Sequence, residues 1–170
     1  MKQTKIKRYF IKTKEILSFK QKLPKHVQPV LEGKVKKSNV EKVEFENFEV
    51  YLVDGKPLLA KVEDKIFPTL FFREAVEILP KVVVDMGAVP HICRGADVMR
   101  PGIVEVAGEF DSNSFVIIVD EKHKKPIALG LSLCSSKEIW EHSYGKMLKN
   151  LHFVGDKIWN FATKNLKLYT

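Results

Sequence analysis

The stretch GADVMRPGI at residues 95–103 limits the possible folds of this chain more than any other feature. It places two glycines and a proline between two apolar segments, so the chain must bend sharply there. The order RPGI at 100–103 predicts a type II turn, since proline fixes φ at about −65° and glycine accepts the positive φ of the next position. Gly95 is placed to end a short helix in the left-handed conformation. We therefore expect a rigid corner between a one-turn helix and a strand.

The residues around this corner predict a sheet of short strands. Apolar runs typical of strands occupy residues 82–85, 103–106, 115–119 and 127–131, and a hairpin about Gly155-Asp156 is expected over 151–161. A single short helix is predicted at 89–94, with Pro90 in its first turn. Many short strands at a spacing of about 8–12 residues favour a small sheet that closes on itself.

The first 80 residues predict a separate α+β unit. A short strand at 5–12 is followed by a helix over 13–23, which Pro24 ends, and by a loop that contains Pro29 and Gly33. Alternating apolar residues then predict a strand over 43–52 with a slip near Asn47, a hairpin turn at Asp54-Gly55 and a return strand over 58–62. A helix over 67–79, ended by Pro80, completes the unit.

The positive charge of the chain is concentrated at its N-terminus. The whole chain carries a formal net charge of +8, from 29 basic and 21 acidic residues. Residues 1–25 alone hold nine Lys or Arg and one acidic residue, so the rest of the chain is balanced. Such a cluster indicates a polyanionic partner, a nucleic acid in preference to an anionic membrane. The alternative interpretation is a solvated edge strand that lysine protects from pairing with other chains.

The composition argues against membrane insertion, a cofactor site and catalysis. No apolar run approaches the roughly 18 residues that a membrane helix needs, and the basic N-terminus lacks the apolar segment of a signal peptide. Cys93 and Cys134 lie alone in apolar segments, which is typical of buried thiols in a reducing cytosol. The five histidines are scattered, and no nucleotide-binding, hydrolase or zinc-protease motif is present. We therefore expect a cytoplasmic protein with no catalytic residue, no cofactor and no metal.

Two runs of the second half resemble the PUA domain, an RNA-binding module. They are VVVDMGAVPHICRGADVMRPGI at 82–103 and IALGLSLCSS at 127–136. The order VxVDxGA…GADVMxPGI is specific, and it fits the strand, helix, turn and strand expected above. The resemblance implies a pseudobarrel of mostly antiparallel strands with short helices. It also implies that RNA, commonly the acceptor end of tRNA or a stem, lies in a groove bordered by the GADVMxPGI segment and the last strands.

The remaining chain resembles the malignant T-cell-amplified family of translation factors, which pair a small N-terminal domain with a C-terminal PUA domain. The resemblance is carried by KRYFIKTKE at 7–15, which looks like the archaeal form, FPTL at 67–70 and NLHFVGDKIW at 150–159. We therefore predict an α+β protein. Its expected parts are an N-terminal pre-PUA α+β domain at 1–80, a PUA-type β pseudobarrel with short helices at 81–163 and a C-terminal tail at 164–170.

The candidate RNA-binding residues form two groups. At the corner, the two glycines carry no side chain that would keep a phosphate or sugar from the backbone, and two arginines flank the gap. The corner group comprises Arg94, Gly95, Ala96, Asp97, Arg100, Pro101, Gly102 and Lys146. The N-terminal group comprises Lys5, Lys7, Arg8 and Lys12, whose charged face would follow phosphates. The alternative is that the corner glycines and proline serve only the geometry of the fold.

The family resemblance implies a non-catalytic RNA-binding protein that acts on tRNA or the small ribosomal subunit in translation initiation, re-initiation or recycling. Larger relatives carry an SUI-type initiation-factor domain. No run here resembles it, so a separate protein would supply it. An accessory subunit or enzyme of tRNA or rRNA modification is one alternative, since PUA domains often accompany such catalysts. A protein-interaction adaptor is another, with Phe48, Phe71, Phe72 or Trp140 as its exposed anchor, although aromatic residues at these spacings are more often in the core.

Overall fold

The computed structural model describes residues 5–167 of the 170-residue chain. These residues form two compact units, one made of residues 5–78 together with 161–167 and the other of residues 79–160. The domain limits expected from the sequence stay a prediction. Within the predicted C-terminal tail, residues 164–167 are helical, and residues 168–170 lie outside the described residues.

The first unit contains an antiparallel sheet of five strands. The strands are β1 (Lys7–Ile11), β2 (Val40–Glu44), β3 (Glu49–Val53), β4 (Lys56–Val62) and β5 (Lys65–Pro68). They pair in the order β1-β2-β3-β4-β5, so that β1 and β5 are the edges of the sheet. Helices α1 (Thr13–Leu17) and α2 (Gln28–Val35) connect β1 to β2, and helix α3 (Arg73–Ile78) follows β5.

The hairpin turn at Asp54-Gly55 is confirmed. Both residues have positive φ, 48° and 79°, and they join β3 to β4 as such a pair is expected to do. The single strand expected over 43–52 is wrong, because its slip near Asn47 is a second tight turn that separates β2 from β3. In that turn Phe45 donates its backbone N–H to the carbonyl of Phe48 (2.8 Å).

The first two helices differ from the sequence-based expectation. The helix predicted over 13–23 ends at Leu17 and is followed by a separate 3-10 turn at Lys20–Lys22. The predicted loop around Pro29 is instead helix α2, with the proline in its first turn. Proline is accepted there because a backbone N–H at that position has no partner within the helix. Reading this proline as a breaker therefore missed a helix.

The third helix begins later than predicted. Residues 67 and 68, the start of the predicted helix over 67–79, belong to strand β5 and pair with β4. Thr69 is buried, and its hydroxyl donates to the carbonyl of Pro57 (2.6 Å) while accepting the N–H of Phe71 (3.3 Å). This turn separates the strand from the helix, which starts at Arg73.

The second unit is built on a curled sheet of six strands, a half-barrel. The strands are β6 (Lys81–Val84), β7 (Val98–Met99), β8 (Ile103–Ala107), β9 (Phe115–Asp120), β10 (Pro126–Ser132) and β11 (Lys146–Phe153). Their order in the sheet is β7-β11-β10-β9-β6-β8. Neighbouring strands are antiparallel except β6 and β9, which run parallel. Helix α4 (Val89–Ile92) lies between β6 and β7 in the chain, and helix α5 (Lys157–Lys167) follows β11.

One hydrophobic core holds this second sheet and its short helices together. Its buried side chains are Val82, Val84, Ile92, Val98, Ile103, Phe110, Val116, Ile118, Ile127, Ala128, Ile139, Met147 and Leu148. Ile92 comes from helix α4 and Ile139 from a 3-10 turn at Glu138–Glu141, so both helical pieces are anchored in the core. The predicted fold class, α+β with a β pseudobarrel and short helices in its second half, is confirmed.

The hairpin predicted over 151–161 is wrong. Strand β11 ends at Phe153, and after a short turn helix α5 begins at Lys157. The Asp156 carboxylate (Oδ1) accepts the backbone N–H of Trp159 (2.7 Å), which is the hydrogen bond of a helix N-cap. The Gly-Asp pair therefore starts a helix instead of reversing a strand.

The type II turn predicted at 100–103 is also wrong. Residues Arg100–Gly102 form a 3-10 turn, and Gly102 does not adopt positive φ. Glycine fits at this position for another reason, because a Cβ there would lie 3.1 Å from the Cβ of Ala88. Gly95 does adopt positive φ, +97°, and follows helix α4 as the sequence predicted.

Candidate nucleic-acid interface

The predicted corner begins with a tightly fixed helix α4. The Asp85 carboxylate (Oδ1) accepts the backbone N–H of Ala88 just before the helix (2.8 Å). After the helix, Gly95 donates its N–H to the carbonyl of Ile92 (3.0 Å). A side chain at Gly95 would be strained by the positive φ, and its Cβ would lie 3.3 Å from the Phe153 ring. Glycine therefore allows the chain to turn close to strand β11.

Asn150 on strand β11 holds the corner in place. Its side-chain Nδ2 donates to the carbonyls of Ile92 (3.0 Å) and Ala96 (2.9 Å), and its backbone N–H donates to Asp97 Oδ1 (2.8 Å). A single residue thus binds the end of helix α4 and the segment that leads into β7. This role of Asn150 was not predicted from the sequence. Asn150 lies within a run that carries the family resemblance, but nothing in the local pattern shows what its side chain contacts.

Asp97 and Lys146, both predicted for the site, form an ion pair. Lys146 Nζ lies 2.7 Å from Asp97 Oδ2. Partial burial alone would raise the pKa of the Asp97 carboxyl, but the hydrogen bonds from Lys146 and from the Asn150 amide outweigh it and lower the pKa. Asp97 is therefore an ionised anchor, and Lys146 is positioned by it on the edge of the corner.

Arg100 is fixed at the turn of the corner by its backbone and by its side chain. Its backbone N–H donates to the carbonyl of Gly145 (2.7 Å), and its Nη1 donates to the carbonyl of Ile103 (3.3 Å). The guanidinium carbon lies over the indole of Trp140, 4.7 Å from the ring centroid, a cation–π contact. Its Nε is buried and has no hydrogen-bond partner among the described residues.

The corner does not offer the open backbone that the sequence suggested. The amides of Gly95, Ala96 and Arg100 all donate to carbonyls within the protein, at 2.7 to 3.0 Å. Arg94 and Pro101 are exposed, whereas Arg100 is half-buried. A phosphate at the corner would therefore meet side chains, with the Arg94 guanidinium foremost, instead of these amides.

The N-terminal group of candidate residues lies on and beside edge strand β1 of the first unit. Lys7 Nζ lies 3.9 Å from a Glu44 carboxylate oxygen, and Arg8 binds Glu41 (2.6 Å) and Asn165 (2.9 Å). Lys5 and Lys12 are exposed, without a carboxylate partner among the described residues. Half of this predicted group is therefore already engaged with other side chains of the unit.

The remaining candidate features are metal-ligating side chains, the two cysteines and the helices. Within residues 5–167, no group of three or more His, Cys, Asp or Glu side chains is arranged to hold a metal ion. Cys93 and Cys134 are half-buried, not fully buried as expected, and burial raises the pKa of both thiols. Across the described part of the chain, every helix is too short or too polar to cross a bilayer.

The aromatic residues considered as exposed anchors divide between the core and the surface. Phe72 is buried, and Phe48 and Phe71 are half-buried. Trp140 is nearly half exposed, against the expectation that an aromatic residue at such a position packs in the core. Tyr144, which the sequence analysis did not single out, is more exposed still.

Two known domain families match the chain, one in each half. The PUA domain matches residues 80–154, and a domain of unknown function, DUF1947, matches residues 7–73. The match to the PUA domain includes the whole corner and strands β6 to β11. The resemblance inferred from the GADVMRPGI stretch and its surroundings is therefore confirmed.

Similar proteins occur in archaea and in eukaryotes. An uncharacterized protein of Methanocaldococcus jannaschii is 45% identical over 158 residues, which are 91% of this chain and 96% of that protein. Translation machinery-associated protein 20 of Saccharomyces cerevisiae is 28% identical over 137 residues, 76% of each chain. Malignant T-cell-amplified sequence 1 of Danio rerio is 28% identical over 123 residues, 69% of this chain and 68% of that one.

A solved structure extends the likeness to the fold. The crystal structure of a hypothetical protein from Pyrococcus horikoshii matches with a TM-score of 0.72 and 34% sequence identity. The match covers 92% of this chain and 99% of that chain. The similarity therefore includes the N-terminal half as well as the PUA half.

Proposed function

Because the chain belongs to the family of PUA-domain proteins that includes translation machinery-associated protein 20 and malignant T-cell-amplified sequence 1, we propose that it binds tRNA, the RNA of the small ribosomal subunit, or both. The PUA domain indicates RNA binding, and the names of these relatives associate them with translation. The proposed step is initiation, re-initiation or recycling, with no catalysis by this chain. Such a role would be carried out in the cytoplasm.

The observation that carries this proposal is the basic corner of the PUA unit. Arg94 is exposed just after helix α4, Arg100 is held against Trp140, and Lys146 is fixed by its ion pair with Asp97. Guanidinium groups bind phosphate oxygens in a bidentate manner. Paired RNA hides its base edges in a deep, narrow groove, so proteins read it mainly through its shape, phosphates and ribose hydroxyls. The cationic side chains of the corner suit recognition through phosphates, which paired and unpaired RNA both offer.

Replacing Arg94 with glutamine should weaken RNA binding and leave the melting temperature unchanged. The Arg94 side chain is exposed, with no ion pair to another described residue, so its loss costs the fold little. We expect about a tenfold loss of affinity, the usual effect of one charge-assisted hydrogen bond. The slope of log affinity against log salt should fall by about 0.7 to 0.9, the contribution of one phosphate contact. Fluorescence anisotropy with labelled tRNA and small-subunit rRNA fragments at several salt concentrations measures both.

The control for Arg94 is Lys122→Gln, which removes one positive charge from the exposed turn between β9 and β10. This variant should bind RNA within about twofold of the unchanged protein, because non-specific attraction depends little on one distant charge. If Arg94→Gln kept both the affinity and the salt slope, the corner would not be the RNA site.

The basic N-terminal segment is the proposed second contact with RNA. Its exposed lysines whose side chains have no hydrogen bond or ion pair among the described residues are Lys5, Lys12, Lys14 and Lys25. Replacing these four with glutamine should lower the salt slope by about 0.7 to 0.9 for each one that contacts a phosphate. Substitution is preferable to deletion of residues 1–12, because β1 pairs along its whole length with β2.

The same binding measurement decides this second contact. A matched control replaces four other exposed lysines, Lys56, Lys65, Lys122 and Lys125. If the N-terminal variant has the salt slope of this control, the phosphates are bound by the corner alone.

A separate protein with an SUI-type initiation-factor domain is the proposed partner on the ribosome. The small subunit itself would hold both proteins through RNA. Affinity purification after ribonuclease treatment tests the partner directly: a protein of this type that remains bound supports it, and loss of every bound protein contradicts it.

A further inference from the structure

Four exposed apolar side chains surround the corner of the second unit. They are Met99 (48% exposed), Leu133 (45%), Trp140 (48%) and Tyr144 (80%). Backbone contacts bring their positions together, since Met99 pairs with Lys146 across β7 and β11, and Leu133 donates its N–H to the Met147 carbonyl (2.9 Å). We call these four residues the exposed patch. Large apolar side chains grouped on a surface in this way usually mark a binding site.

The segment that carries Trp140 and Tyr144 is held rigidly. Ile139 is fully buried in the core next to Trp140. The Glu138 carboxylate accepts the N–H of Ser135 (2.7 Å), and Ser135 Oγ accepts the N–H of Glu138 (3.2 Å). The Gly145 carbonyl, directly after Tyr144, accepts the Arg100 N–H. A surface of this kind is preorganised, so a ligand would not have to order it on binding.

Trp140 presents its indole in a defined way. The Arg100 guanidinium covers one side of the ring at 4.7 Å from its centroid, while nearly half of the residue stays accessible to solvent. The indole offers a flat surface on which a second flat group, such as a nucleobase, can stack. The guanidinium behind it also attracts the phosphates that accompany a nucleobase. Lys146 and Lys149, exposed on β11, supply further positive charge.

We propose that Trp140, with Tyr144 beside it, stacks unpaired bases of RNA, so that the site prefers single-stranded or frayed ends over closed duplex. This inference rests on the proposed RNA binding and names the form of RNA that the same corner selects. Aromatic side chains beside a basic surface are the usual means of holding single strands without reading their sequence.

The acidic groups near the patch do not oppose this ligand strongly. The Asp97 carboxylate is paired with Lys146, and the Glu138 carboxylate is occupied by the Ser135 amide. Glu141 is the remaining exposed carboxylate of the 3-10 turn that carries Trp140. With Lys146 paired to Asp97, Arg100 and Lys149 remain as the positive charges that face it.

The test uses Trp140 as its own reporter. The chain has two tryptophans, so Trp159→Phe leaves Trp140 as the single source of indole fluorescence. This protein is titrated with a single-stranded oligoadenylate of about eight nucleotides, a length within the site sizes of known single-strand binders, and with a blunt-ended RNA hairpin. We expect saturable quenching by the single strand and little change with the hairpin, whose bases are already stacked.

Affinities of two further variants separate stacking from a structural role. Trp140→Leu should lower the affinity for the single strand about tenfold, the usual effect of losing one stacked base, and should leave hairpin binding within about twofold. Trp140→Phe keeps a ring and should retain most of the affinity. Circular dichroism melting confirms that both variants fold.

Three outcomes would overturn the inference while RNA binding itself stands. They are unquenched fluorescence at saturating single strand, an equal loss for single strand and hairpin in Trp140→Leu, and no loss for either. If Trp140→Leu instead abolishes only a contact with a protein that survives ribonuclease treatment, the patch is a protein-docking surface and the inference is likewise wrong. If the unchanged protein binds neither RNA, the proposed function fails as well.

Discussion

Replacing Asp156 with alanine should lower the free energy of unfolding of the second unit by about 3 kcal/mol. The carboxylate has three partners: Oδ1 accepts the Trp159 N–H (2.7 Å), and Oδ2 accepts the Phe153 N–H (3.0 Å) and lies 2.7 Å from His152 Nδ1. Alanine removes the N-cap of helix α5, worth about 1 kcal/mol. It also removes a partner from His152, which is fully buried, and such a loss costs about 1–3 kcal/mol.

Urea unfolding followed by tryptophan fluorescence measures this effect, since Trp140 and Trp159 both lie in the second unit. Asp156→Asn is the control, because its amide oxygen preserves one acceptor while the NH₂ group cannot accept at the other position. We expect it to lose less stability than Asp156→Ala but clearly more than zero. If both variants unfold like the unchanged protein, the three hydrogen bonds contribute nothing to stability and the assignment of Asp156 is wrong.

Replacing Gly130 with valine should also destabilise the second unit by about 3 kcal/mol, through overpacking. Gly130 lies on β10 between β9 and β11, where a Cβ would meet Ile118 Cδ1 at 3.2 Å, Leu148 Cβ at 3.3 Å and the Lys149 carbonyl oxygen at 3.3 Å. The Ile118 methyl is at the end of a flexible side chain and can shift by a few tenths of an ångström, whereas the Leu148 Cβ moves only with its backbone. The Lys149 carbonyl cannot move without disturbing the hydrogen bonds between β10 and β11. A valine side chain at position 130 would therefore clash with it.

Gly33→Ala in helix α2 is the matched comparison, because a Cβ there meets no atom within 4 Å. That change should stabilise the first unit by about 0.5–1 kcal/mol, as alanine favours a helix over glycine. Gly130→Ala should fall between the two. Thermal melting by circular dichroism gives the order of the three variants. A Gly130→Val protein as stable as the unchanged one would mean that β10 and β11 are more loosely packed than the contacts indicate.

Features of the backbone that depend on one or two residues were predictable from the sequence. Asp54-Gly55 turns a hairpin because both residues tolerate positive φ, and Gly95 follows helix α4 for the same reason. Four of the six strands of the second unit, β6, β8, β9 and β10, were found from their apolar runs, whereas β7 was not predicted and β11 was placed in part in a hairpin. Wherever the prediction held, local conformational preference and tertiary structure agree.

The errors arose where a residue has two possible roles and distant contacts choose between them. Proline before a helix and proline within its first turn look alike in sequence, which is why α2 was missed. Asp156 follows a glycine as in a hairpin turn, yet it caps helix α5. Position 102 requires glycine because a larger residue would crowd Ala88, and not because the backbone there adopts a positive φ.

The candidate site shows the same limit for side chains. The motif located the corner and its arginines, but Asn150 and Trp140 act through partners more than 35 positions away in the chain. No local pattern reports such contacts. The exposure of Trp140 was likewise not predictable. Its neighbour Ile139 is the residue of this 3-10 turn that packs in the core, and Trp140 is left nearly half exposed.

The hydrogen bonds of Asn150 have a consequence for the order in which the chain acquires its shape. They join it to Ile92 and Ala96, which lie 58 and 54 positions earlier. A contact between residues so far apart in sequence requires a long loop to close, which costs chain entropy. During synthesis the corner emerges well before the residue that fixes it. A growing chain therefore gains a finished corner only after Asn150 has been synthesised.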